Sequence, residues 1–112
     1  MATLTQFLAR FSTATIQRSL SYVKKIDLKS LESYSDRDNL VIEAQVQGTD
    51  YYETAIIYNP QKDKIVDTDC SCPVGYDCKH AAALARHFYD QQSAKNVIAI
   101  HSELSTSTSE NE

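Results

Sequence analysis

Residues 70–80 read Cys70-Ser71-Cys72-Pro73-Val74-Gly75-Tyr76-Asp77-Cys78-Lys79-His80 and hold all three cysteines of a 112-residue chain. The spacing is C-x-C, five intervening residues, then C-x-H. Three thiolates and one imidazole form a ligand set that suits tetrahedral zinc. One ligand pair follows a strand and the other opens a helix, so the two can converge on one ion if the loop between them folds back. Gly75 gives that loop backbone freedom, and Pro73 stiffens its exit from the first pair. The alternatives fit less well. A Cys70–Cys72 disulfide closes a tiny strained ring, and a Cys72–Cys78 disulfide leaves one thiol over. A redox switch at exposed thiols is the minority reading. The reading is one Zn²⁺ held by Cys70, Cys72, Cys78 and His80. Four protein ligands leave no open coordination position, which makes the site structural and not catalytic. Three thiolates with Zn²⁺ leave a charge of −1 that Lys79 can offset. The positive end of the following helix is expected to lower the cost of a thiolate at Cys78.

Downstream, Lys79 to about Gln92 is rich in helix formers, including the run Ala81 to Arg86. Asp77 stands where it can cap the first turn. From Ser102 the chain is serine, threonine, glutamate and asparagine with little to bury, which predicts a flexible tail or linker. Upstream, Ile65 to Asp69 is a short strand that delivers the chain to Cys70. Tyr51 to Tyr58 is β-branched and aromatic, and Leu40 to Gln47 alternates, with Leu40, Ile42, Ala44 and Val46 on one face. Gly48-Thr49-Asp50 and Asn59-Pro60 supply turn chemistry between these strands, and Asp36 to Asn39 reads as the preceding turn. Leu4, Phe7, Leu8 and Phe11 form one helical stripe and Ile16, Leu20 and Val23 a second, broken at Ser12-Thr13. One bent helix or two short ones are expected before about Lys25, packed against the sheet.

The fold class that follows is α+β: a small antiparallel β-meander with an N-terminal helical segment and a zinc-organised ββα finger. The expected divisions are 1–35 for the N-terminal helical segment, 36–101 for meander and finger with the finger core at 51–92, and 102–112 for the tail. A chain of this length holds one small domain in which a metal is a useful staple. The formal charge is −4, but it is unevenly spread. Residues 1–31 carry Arg10, Arg18, Lys24, Lys25 and Lys29 against Asp27 alone, and acidic side chains dominate the remainder. An acidic whole disfavours strong stand-alone binding to nucleic acid, and the basic first segment keeps a weaker form open.

The stretches Cys70-Ser71-Cys72-Pro73 and Cys78-Lys79-His80, followed by an alanine and leucine helix, resemble the SWIM zinc finger. The resemblance implies a short β-hairpin followed by a helix over residues 51–92. It extends upstream to Arg18, Tyr22, Val46, Gly48 and Tyr52. There the chain looks like the N-terminal SWIM region of bacterial Swi/Snf-type helicases, with Ser19 where those regions have glycine. What the resemblance implies is a zinc-binding interaction module that contacts DNA or is recruited beside a Swi/Snf-type helicase. The alternative is a protein–protein adaptor with no nucleic-acid contact.

No G-x-x-x-x-G-K-[ST] loop occurs, so ATPase or helicase activity would lie on another domain or chain, and no enzyme is expected here. Lys79 and Arg86 are the candidate phosphate contacts, and Tyr76, in the loop between the ligand pairs, is a candidate partner contact. Asp67, Asp69 and Asp77 crowd the same neighbourhood and argue against a phosphate backbone there. Tyr52 and Tyr58 are expected in the core, His87 on the helix as a non-ligand and His101 in solvent. The expected partners are DNA, or a protein such as a Swi/Snf-type helicase or recombination factor, with no membrane and no small-molecule substrate. The expected location is cytoplasmic, at the nucleoid in a bacterium or archaeon and in the nucleus of a eukaryote.

Overall fold

The computed structural model describes the backbone of residues 3–104 and the side chains of residues 3–92. Its centre is a four-stranded antiparallel sheet in the order β1 (Ile26–Asp36), β2 (Asn39–Gln47), β3 (Tyr51–Asn59), β4 (Lys64–Cys70). The expected alternation of β2 is present. Ile42, Ala44 and Val46 are buried, and opposite them on β3 stand Ile56, Thr54 and Tyr52. The class is therefore α+β with an antiparallel meander, as the sequence reading has it.

The meander has one strand more than expected. β1 lacks a clean apolar alternation and is mostly exposed along its second half. Its pairing with β2 shifts register between Asp27 and Glu32. Within that irregularity the Ser30 hydroxyl donates to the Asp27 carbonyl and accepts the N–H of Gln45, at 2.7 and 2.8 Å. A side chain thus replaces a ladder bond, and the amphipathic period that would announce the strand is lost.

The N-terminal segment forms two short helices, α1 (Leu4–Phe7) and α2 (Thr13–Ser19), followed by a 3₁₀ segment, Leu20–Lys25. Thr3 closes a capping box on α1, and Ser12 caps α2 by accepting the N–H of Thr15. The expected break at Ser12 is real. The covering role differs from expectation, because α2 packs chiefly on α3 (Lys79–Leu104), which itself lies against β3 and β4. The alanine run is therefore sandwiched, with Ala81, Ala82, Ala83, Leu84 and Ala85 all fully buried. Ser19, also fully buried, directs its hydroxyl to the Ile16 carbonyl at 2.6 Å. Small residues are what such a close layering admits. At the far end of the core, Phe7, Tyr58, Phe88 and Tyr89 pack ring against ring. α3 continues past Gln92 because no glycine or proline follows Gly75 to end it. Residues 105–112, most of the expected tail, and the side chain of His101 lie outside the described residues.

Candidate metal centre

β4 ends at Cys70, and the chain then reverses through 71–78 into α3. The reversal is held by backbone. The Cys70 N–H donates to the Gly75 carbonyl at 2.9 Å, and Gly75 adopts φ +89°, a conformation open to glycine and strained for other residues. Asp77 also has positive φ, 47°, and its N–H donates to the Thr68 hydroxyl at 2.6 Å. Its carboxylate does not cap α3 as expected. It accepts from Thr68 Oγ1 at 2.8 Å and from Arg10 Nε at 2.7 Å. Arg10 also donates to the Val66 carbonyl at 2.9 Å and lies 3.6 Å from Asp67. One N-terminal arginine thus ties the loop between the ligand pairs to β4, a role with no short-range signal in the sequence.

The structure brings Cys70, Cys72, Cys78 and His80 together. All four are buried, and their ligand atoms lie within 4.8 Å of one another. His80 Nδ1 sits 3.8 Å from Cys70 Sγ and 3.7 Å from Cys78 Sγ. A tetrahedral ion with the usual Zn–S and Zn–N lengths sets sulfur and nitrogen about 3.6 Å apart, so the donor set fits zinc. The three cysteines are free thiols. His87 is not part of the cluster and lines a separate cavity with Leu31 and Leu40.

A hydrogen bond with Cys78 pulls the Cys70 thiol down to about 5 against the effect of burial, with help from the Thr54 hydroxyl and the Cys72 N–H. The same contact, together with burial, raises Cys78. The Ala81 N–H, in the first turn of α3, does favour a thiolate at Cys78, but the neighbouring Cys70 outweighs it. That N–H is the helix-end contribution expected at Cys78. Two buried sulfurs that share one proton release it when a cation arrives to balance the second charge.

The imidazole of His80 is framed by aromatic rings, Tyr22 edge-on at 5.0 Å and Tyr52 tilted at 4.8 Å. With Nδ1 toward the sulfurs, the buried Nε2 has no hydrogen-bond partner among the described residues. Gly48 lies against this edge. A Cβ there would stand 3.0 Å from Nε2 and 2.9 Å from Tyr52 Cε2. Gly48 does not have positive φ. Its value at this turn is therefore the space it leaves beside the ligand, and the turn conformation itself is open to other residues.

A cleft of about 450 Å³ opens over the metal centre, with Cys72, Cys78 and His80 on its lining. Arg18 from α2 and Lys79 from α3 line it as well, and the Lys79 ammonium sits 5.1 Å from the Tyr22 ring centre. Arg86 does not line it, so the structure separates the two cations that the sequence reading groups. Tyr76 is 65 % exposed on the loop. Among the described residues, the ion pairs are those of Arg10 with Asp67 and Asp77. Asp69 pairs with Ala55, between the inward-facing pairs Thr54–Cys70 and Ile56–Thr68, and so lies on the opposite face of the sheet.

Residues 49–89 match the model of the SWIM zinc finger. No curated protein and no solved structure matches the chain.

Proposed function

We propose, from the premise that residues 49–89 are a SWIM zinc finger with a Cys3His set suited to one zinc ion, that this chain is a non-catalytic module that binds DNA. The observation that carries this reading is the segregation of charge around the finger. Arg18 and Lys79 face one cleft at the metal centre and form no ion pair among the described residues. Of the three carboxylates that stood against a phosphate contact, Asp77 alone lines this cleft. Asp77 and Asp67 are engaged by Arg10, and Asp69 lies on the other face of the sheet. Lys24 and Lys25, in the 3₁₀ segment that follows α2, add positive charge to the N-terminal layer.

The test is anisotropy titration of labelled DNA with zinc-loaded protein at several salt concentrations. The logarithm of affinity should fall linearly with the logarithm of salt, with a slope corresponding to a few neutralised phosphates. Absent or salt-insensitive binding to both single- and double-stranded DNA would reject the reading.

A protein-contact reading has its own observation. The uncovered face of the sheet carries Glu43, Glu53 and Asp69, together with Tyr51, which is 56 % exposed. A Swi/Snf-type helicase is the proposed partner on the strength of the upstream resemblance, with a recombination factor as the other candidate. Retention of such a partner on immobilised, zinc-loaded protein, and its release on Glu53→Lys, would support that contact.

A further inference from the structure

The cleft over the metal centre has properties that general attraction to DNA does not require. Its volume, about 450 Å³, lies in the range of about 300–1,000 Å³ typical of small-molecule sites and exceeds what a lone phosphate fills. Its lining is of two kinds. Arg18 and Lys79 supply cationic donors from two different elements, and Thr49 adds a hydroxyl from an exposed turn. Tyr22, Tyr52 and Val74 supply aromatic and apolar surface, and Val74 is 63 % exposed at the loop tip. The three thiolates of a zinc-loaded centre leave a charge of −1 beneath the cleft. Arg18 and Lys79 together exceed that charge, and the carboxylate of Asp77, which also lines the cleft, is held by Arg10.

We infer that this cleft takes one unstacked nucleotide of a single strand, with its phosphate at Arg18 and Lys79 and its base against the wall of Tyr22, Tyr52 and Val74. The inference rests on the DNA-binding reading and adds strand selectivity to it. A duplex keeps its bases paired and stacked and presents phosphates on a convex surface. A single strand turns a base out at little cost, and a concave site that pairs aromatic walls with cations matches both parts of what it offers.

The experiment uses the zinc-loaded full chain and a single-stranded oligonucleotide, compared with a hairpin duplex of the same sequence by fluorescence anisotropy. Arg18→Gln and Thr49→Glu are measured beside the parent, with zinc content determined for each. Arg18 and Thr49 are both exposed and are not metal ligands, so zinc is expected to stay at one per chain in both variants. The single strand should bind about tenfold or more tighter than the duplex, and each variant should lose about tenfold of that affinity. A deoxynucleoside monophosphate should compete better than inorganic phosphate. Parental affinity in both variants, with salt-dependent binding intact, overturns the cleft assignment and leaves the DNA reading standing. Equal or preferred binding of the duplex overturns the strand selectivity. Equal competition by inorganic phosphate overturns the base contact. Absence of salt-dependent binding to either form overturns this inference and the DNA-binding reading together.

Discussion

At the residue scale, Gly48 shows how the reason for a residue differs from its appearance. In the sequence it stands at a turn, and its φ is not one that demands glycine. Substitution by alanine at an ordinary backbone position stabilises a protein by about 0.4–1 kcal/mol, because the unfolded chain has fewer conformations to lose. Here the added methyl meets Tyr52 and His80 Nε2 at 2.9 and 3.0 Å. Overpacking of that kind costs about 1–3 kcal/mol. Gly48→Ala is therefore expected to lower stability in denaturant titration and to weaken zinc retention against a chelator. A gain in stability would show that the turn, and not the ligand's surroundings, sets the residue. Arg10 makes the complementary point. Three contacts, to Asp77, Asp67 and the Val66 carbonyl, fasten the ligand loop to β4. Its partners lie more than fifty residues away in the chain, and no local pattern in the sequence marks it.

At the element scale, the first turns of α3 carry the largest discrepancy between pattern and cause. The alanines read as good helix formers, which they are. Their structural reason is that α2 and the sheet close on the helix from both sides, leaving Ala81, Ala82 and Ala83 with no exposed surface. Ala82→Leu should leave helix propensity nearly unchanged and still destabilise by about 1–3 kcal/mol. The exposed control Asp90→Ala should change stability by no more than about 0.5 kcal/mol. Equal stability for the two variants, measured by thermal unfolding, would argue against the sandwich. β1 is the element the sequence reading lacks altogether. The reading depends on a period of two, and β1 interrupts its period where Ser30 stands in for a ladder bond. β2, β3 and β4 keep one face buried and so announce themselves.

At the scale of the whole molecule, the metal centre and the core are one structure. Cys70, Cys72 and Cys78 belong to the same packed cluster as Val46, Ile56 and Leu84. Zinc removal is therefore expected to loosen the fold as a unit. Cys78→Ser should retain no stoichiometric zinc by elemental analysis, and its melting temperature should fall by roughly 10 °C or more. A variant that keeps the parent's melting temperature without metal would separate the sheet and helices from the finger. The candidate ligand set, the α+β class and three of the four strands are legible in the residues alone. Each of these rests on short-range spacing: C-x-C with C-x-H, a period of two, a period of 3.6. Which charges meet emerges only from the folded arrangement. It sent Arg10 to the loop aspartates, set Arg18 beside Lys79, left Arg86 away from the cleft and turned Asp69 to the far face of the sheet. The physical reason is that side-chain electrostatics and close packing act through space between elements far apart in the chain, and spacing along the chain carries no record of those distances.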